Sequence, residues 1–175
     1  MSDFRVIDGS LGHNQPINET WSTVDDDGST ISPQVRPGTI VTARDMDAST
    51  DYGVGEFIYL KGVASTAVGD AVTYQYGDYQ TARTVAASVG MIGIAMSANL
   101  ANQWGWYQIR GLAVVEVSAS FAADKICYLT ATAGELDDAV VAASEIRGTY
   151  SYTAIATPAA GQALVSIQYP EVANV

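Results

Sequence analysis

The chain has 175 residues, of which 48% are hydrophobic, 9% aromatic and 15% charged, a globular composition whose length predicts one compact domain. Eight Lys and Arg stand against 19 Asp and Glu, and the net charge of -11 has the wrong sign for gripping a nucleic-acid backbone by counterion release. A single cysteine, Cys127, and a single histidine, His13, exclude an intrachain disulfide and a Cys-based zinc cage and leave little room for triad chemistry.

The opening residues Met1-Ser2-Asp3-Phe4-Arg5 lack a cationic start followed by an apolar run, so no signal peptide is expected. No stretch approaches the roughly 20 apolar residues that a membrane helix needs. The expectation is a soluble protein made without a secretion signal, with neither membrane nor nucleic-acid partners. Residues 1–38 hold three of the five prolines (Pro16, Pro33, Pro37) and the acidic run Asp25-Asp26-Asp27-Gly28, with few apolar residues in any regular period. They read as an extended or loop-rich N-terminal arm. Stretched out, the arm would span about 120 Å and could reach a neighbouring molecule; the alternative is a cap folded on its own body.

From Pro37-Gly38 onward, short runs rich in Val, Ile, Thr, Tyr and Ala are punctuated by Gly or Asp every 8 to 12 residues, as in an all-β sandwich or barrel of short antiparallel strands. Residues 39–175 are read as this β-rich domain. Strands are predicted near 39–44, 55–62, 71–76, 79–84, 91–97, 104–110, 112–117, 126–131, 138–142, 149–156 and 163–169. Gly77-Asp78 suits a two-residue type II′ hairpin turn, and Ala133-Gly134-Glu135 marks a second turn. In 149–156, alternation puts Tyr150, Tyr152 and Ala154 on one face and Thr149, Ser151 and Thr153 on the other. Two runs, Glu56-Phe57-Ile58-Tyr59-Leu60 and Leu112-Ala113-Val114-Val115-Glu116-Val117, are apolar on both faces, so they are either central strands or covered by another subunit.

Candidates for chemistry are few. Asp25-Asp26-Asp27-Gly28-Ser29 invites a calcium-loop reading, but aligning Gly28 with the invariant glycine puts Thr23 at the first ligand position and Gln34 at the last, against that pattern. A looser cation site at Asp45, Asp47 and Asp51 stays open beside a solvated turn. Asp137-Asp138 reads as a charged turn, because neighbouring strand residues face opposite ways. Cys127, within Ile126-Cys127-Tyr128-Leu129, reads as a small buried hydrophobe, and His13 lies in the arm. The glycines at 53, 55, 90 and 93 lack the spacing of a phosphate cradle. No catalytic, cofactor or metal residues are assigned, and the chain is not expected to be an enzyme.

Trp104-Gly105-Trp106-Tyr107 places Trp104, Trp106 and Gln108 on one face, with Tyr107 and Ile109 on the other. Such rings could pack in the core, anchor a protein interface or form a sugar-stacking platform. The candidate partner contacts are Phe57, Tyr59, Trp104, Trp106 and Tyr107. A carbohydrate-binding or adhesin module using Trp104, Trp106 and Tyr107 is the alternative function.

Four phrases in order carry a resemblance: Gly55-Glu56-Phe57-Ile58-Tyr59-Leu60-Lys61-Gly62-Val63-Ala64, Val68-Gly69-Asp70-Ala71-Val72-Thr73-Tyr74, Trp104-Gly105-Trp106-Tyr107-Gln108-Ile109-Arg110-Gly111-Leu112-Ala113, and Tyr128-Leu129-Thr130-Ala131-Thr132-Ala133-Gly134-Glu135-Leu136. From about Gly38 to Pro170 the chain resembles the capsid decoration, or cement, proteins of tailed bacteriophages. The resemblance implies a β-rich structural protein on the outer capsid surface of the virion. It would bind the major capsid protein, commonly as a homotrimer, and stabilise the shell by bridging its subunits. The arm is the least similar part. The family supplies no catalytic residues, and a strongly acidic surface fits a molecule that must stay off packaged DNA.

Overall fold

The computed structural model describes residues 3–9, 16–22, 32–99, 101 and 103–172, and His13 and Asp25-Asp26-Asp27 lie outside them. The described residues contain no helix, and the antiparallel sheet curls into a half-barrel, so the all-β reading is correct. The strands are β1 (Phe4–Val6), β2 (Trp21–Ser22), β3 (Ile40–Asp45), β4 (Val54–Lys61), β5 (Ala71–Tyr74), β6 (Thr81–Arg83), β7 (Gly90–Ala95), β8 (Gln103–Glu116), β9 (Tyr128–Leu129), β10 (Leu136–Asp137), β11 (Arg147–Ser151) and β12 (Gln162–Val172). The main sheet runs β1-β3-β4-β8-β12-β7-β5-β6, with β11 added on β12 and β2 on β8, while β9 and β10 form a separate hairpin.

β8 is the spine. It pairs with β4 from Trp104 to Arg110, with β12 from Arg110 to Glu116, and with β7 at Tyr107 and Gln108. Because β12 also pairs with β7, these three strands lock each other and curl the sheet. The sequence breaks this strand at Gly111, whereas the structure carries it straight through. Gly111 has a φ of +107°, and the Gln108 side-chain amide donates to the carbonyls of Arg110 and Leu112 on either side, at 3.1 and 3.2 Å. A residue that expected turns thus supplies a bend within one long strand.

The doubly apolar run on β4 is central, covered on both faces by its own chain. Phe57 and Tyr59 pack with Phe4, Val41 and Trp106, while Ile58 and Leu60 pack with Val72, Tyr74 and Tyr107. A third cluster joins Ala113 and Val115 of β8 to Val165 and Ile167 of β12, to Leu129 and Leu136 of the β9–β10 hairpin, and to Phe121 from a loop. Strict alternation sends successive β4 side chains into different clusters, as the pleat requires.

Two local expectations change, and a third, the alternation on β11, is present with its inward face now identified. Residues 138–142 form no strand: Val140 is 81% exposed, and burial does not alternate there. The hairpin at Gly77-Asp78 closes at Tyr74 and Thr81, a longer loop than two residues, because the Tyr79 carbonyl accepts from the Lys61 N–H at 2.9 Å and draws the chain towards β4. On β11 the inward face is the hydroxyl one. Thr149 and Ser151 are buried and donate to the carbonyls of Ile146 and Ala122 at 2.7 and 2.9 Å, whereas Tyr150 is exposed, as is Tyr152 just beyond the strand.

The described parts of residues 1–38 make strand pairings and core contacts with the body. β1 pairs with β3, β2 pairs with β8, and Ile17 and Val35 are buried in the cluster containing Phe57. These residues are laid against the body, because Phe4, Val6, Ile17 and Val35 are the apolar groups that close one face of the sheet.

The loop before β5 is held by a buried ion pair. Asp70 accepts from the Arg83 guanidinium at 2.8 Å and from the Ala67 N–H at 2.8 Å, and Arg83 also donates to the Ala133 carbonyl at 2.7 Å. This ties β6 to the 133–135 turn and leaves no room for a side chain at Gly134, whose added Cβ would lie 2.6 Å from the Asp70 carboxylate. Asp70→Ala strands the Arg83 charge. Because Arg83 retains some solvent contact, the expected loss is about 2–3 kcal/mol, below the full range for a buried pair, read from urea midpoints.

Candidate functional site

Four of the five candidate contact residues lie in the core: Phe57 and Tyr107 are fully buried, Tyr59 is 2% exposed and Trp106 6%. Each of the four is covered by residues of its own chain, so none presents an exposed contact surface in the isolated chain. The alternation predicted for β8 is present. Trp106 and Trp104 join the cluster with Tyr59, whereas Tyr107 turns the other way, into the cluster with Ile58, Leu60 and Tyr74. Its hydroxyl accepts from the Asn99 amide at 2.8 Å, and burial pushes its pKa up to about 12. Trp104, Trp106 and Tyr107 thus do not form one platform.

What the structure builds instead is an aromatic cleft between residues 16–21 and the β4–β8 face. Tyr59 and Trp106 sit opposite each other across these paired strands, with ring centroids 5.0 Å apart and planes tilted by 57°. Trp104, two residues before Trp106 on β8, also stacks on Tyr59, at 6.0 Å with an interplanar angle of 14°. Trp21 pairs with Trp104 through β2 and keeps 38% of its surface exposed. The cleft, about 140 Å³, is lined by Pro16, Glu19, Thr20, Trp21, Gln34, Tyr59 and Trp106. Desolvation raises the Tyr59 pKa to about 12, while the Gln34 backbone N–H pulls the other way without meeting hydrogen-bond geometry. The Tyr59 hydroxyl has no hydrogen-bond partner, nor has the Trp104 indole N–H.

Sequence reasoning finds Trp106 and Tyr59 but misses Trp21, Glu19 and Gln34. The available signal was an isolated Trp in a polar stretch. Nothing local says which strand that Trp joins.

The aspartates at 45, 47 and 51 show a different arrangement from a cation cage. Asp45 is 3% exposed and its carboxylate accepts from the N–H groups of Asp3, Asp47 and Tyr52 at 2.9, 3.2 and 3.1 Å and from the Thr50 hydroxyl at 2.6 Å. Asp47 accepts from the N–H and hydroxyl of Ser49 at 2.9 and 2.7 Å. These carboxylates serve as turn and strand caps that also fasten Asp3 to β3. Among the described residues no group of three or more His, Cys, Asp or Glu side chains is placed to hold a metal ion.

For Asp45, burial acts to raise the pKa, yet the hydrogen bonds from Thr50, Tyr52, Asp3 and Asp47 outweigh it, and the net shift is below the ordinary 3.8. A carboxylate with a depressed folded pKa contributes stability that is present above its unfolded value and lost as pH falls through the folded one. Wild type is therefore expected to lose stability below about pH 4, and Asp45→Asn should flatten that acid limb while lowering stability at pH 7. Urea midpoints across pH 2.5–7 test this; an unchanged acid limb in the variant contradicts it.

On the opposite face, Glu56 accepts from the Tyr169 hydroxyl and from Arg110 at 2.7 Å. The Tyr169 bond first, and then Arg110, holds the carboxyl below its usual range against partial burial. This triad staples β4, β8 and β12. Cys127 is buried, and desolvation pushes its thiol up to about 11, so it is a packing group in this fold.

No protein-family model matches the chain, and no curated protein is similar to it by sequence.

Proposed function

We propose that this chain is a structural protein of a bacteriophage virion, which binds the outer surface of the icosahedral capsid as a homotrimer and stabilises it by bridging major capsid protein subunits. The observation that supports this reading is where the resembling phrases fall. Gly55–Ala64 and Trp104–Ala113 cover the paired central strands β4 and β8, Val68–Tyr74 covers β5 and its entry loop, and Tyr128–Leu136 spans the β9–β10 hairpin. The likeness thus lies in the framework that a rigid clamp requires.

With Phe57, Tyr59, Trp106 and Tyr107 in the core, the contact surface must lie elsewhere. The exposed strip Ile126, Tyr150 and Tyr152 is our candidate: residues 125–127 run beside β11, with the Ser151 N–H donating to the Lys125 carbonyl at 2.8 Å. Apolar side chains presented by three linked copies would convert weak contacts into strong attachment through high effective concentration. Binding only the assembled shell would shift its stability by mass action.

Light scattering on the purified chain should give three times 18.4 kDa, and a monomer would count against the trimer. Particles carrying the protein should release DNA at a higher temperature than particles stripped of it. Equal release temperatures would overturn the proposal.

A further inference from the structure

We propose that the cleft between residues 16–21 and the β4–β8 face is a binding site for a single neutral sugar ring at the end or within a glycan. Three observations carry it. The first is Tyr59, which lines the cleft with a side chain only 2% exposed and whose enclosed hydroxyl has no hydrogen-bond partner. Buried polar groups are nearly always satisfied, and a ligand hydroxyl would satisfy this one.

The second is the lining. Trp21 is the one large ring of the set with substantial exposure, and the C–H face of a pyranose packs on such a surface much as another apolar group would. Around it stand an acceptor, Glu19, a donor-acceptor amide, Gln34, and a hydroxyl, Thr20. A polyol, whose hydroxyls both donate and accept, matches that mixture. Among the described residues the lining includes no Lys or Arg, and the chain carries a net charge of -11, so a phosphorylated, sulfated or sialylated ring would be repelled. Anionic rings are therefore excluded.

The third is size and rigidity. About 140 Å³ is below the several hundred Å³ of drug-sized pockets and suits one ring. Trp104 and Trp106 pack against Tyr59 and fix its orientation before any ligand arrives, which lowers the ordering cost of binding. A proline-rich peptide would need an aromatic-lined groove long enough for an extended segment, and this cleft is compact.

Saturation-transfer NMR on the full chain would use N-acetylglucosamine, methyl β-galactoside and methyl α-mannoside, each at about 10 mM, a level suited to millimolar affinity. At least one should receive saturation. Tyr59→Phe, which deletes only the orphan hydroxyl and keeps the ring, should weaken binding about tenfold with no loss of melting temperature. Trp21→Ala should abolish it, and Glu19→Gln provides a third variant that leaves the aromatic packing intact. Transfer to none of the three sugars, or transfer unchanged in Tyr59→Phe and Glu19→Gln, overturns the proposal. So does binding of a proline-rich decapeptide at Trp21 in place of the sugars.

Discussion

Phe57→Ala is expected to destabilise the isolated chain by about 3–5 kcal/mol, the cost of removing a fully enclosed aromatic ring and leaving a cavity. Phe57 has no exposed surface, packs among Val41, Ala43 and Ile17, and meets the Phe4 ring at 5.0 Å with a 59° tilt. For a chain of this length each kcal/mol moves the melting temperature by about 2–4 °C, so calorimetry should show a drop of about 10 °C. The same substitution would act differently if the ring sat in a subunit interface. Oligomer mass would then change while the monomer's urea midpoint stayed put. A loss under about 1 kcal/mol would mean that Phe57 is not a core residue and would reopen β4 as a contact surface.

Gly111→Val should be comparably damaging, by a separate mechanism. At a φ of +107° a β-branched residue is strained, and the added Cβ would lie 2.8 Å from the Val54 carbonyl oxygen and 3.0 Å from the Gly55 Cα. Both obstacles are backbone atoms of the paired strand, so neither can swing aside. Backbone strain of about 1–3 kcal/mol and overpacking of a similar size together give a loss of about 3–5 kcal/mol. Gly53→Ala is the control: its φ is +77°, but nothing lies within 4 Å of the added Cβ. It should cost only about 1 kcal/mol, and equal losses at the two glycines would show that the close approach at Gly111 carries no weight.

The two predictions mark the division between what was readable along the chain and what was not. The run Phe57-Ile58-Tyr59-Leu60 states by its pattern alone that both faces of β4 are covered. It does not say by what. The cover on one face comes from Phe4, Ile17 and Val35, spread through a proline-rich stretch without regular period, so no window of local sequence connects them to β4. For the same reason Trp21 could not be assigned to the cleft: its partner strand begins more than eighty positions later, at Gln103.

Glycine gave a further ambiguity. Gly111 and Gly134 are both local breaks in an apolar pattern. Gly134, with a φ of +85°, sits in the turn between β9 and β10, whereas Gly111 bends β8 without ending it. Positive φ serves either purpose, and the choice depends on whether partner strands continue past the bend, as β12 does beside 110–116.

The amino-acid sequence by itself determined an all-β chain, the alternation that separates Trp104 and Trp106 from Tyr107, and the two strands apolar on both faces. Those features follow from period-two geometry and composition, which are local. Only the tertiary structure decided which rings are hidden, which carboxylates cap turns and which tyrosine hydroxyl is left without a partner. Each of these depends on residues brought together from distant positions by strand pairing, and burial and hydrogen bonding are properties of those assembled neighbours.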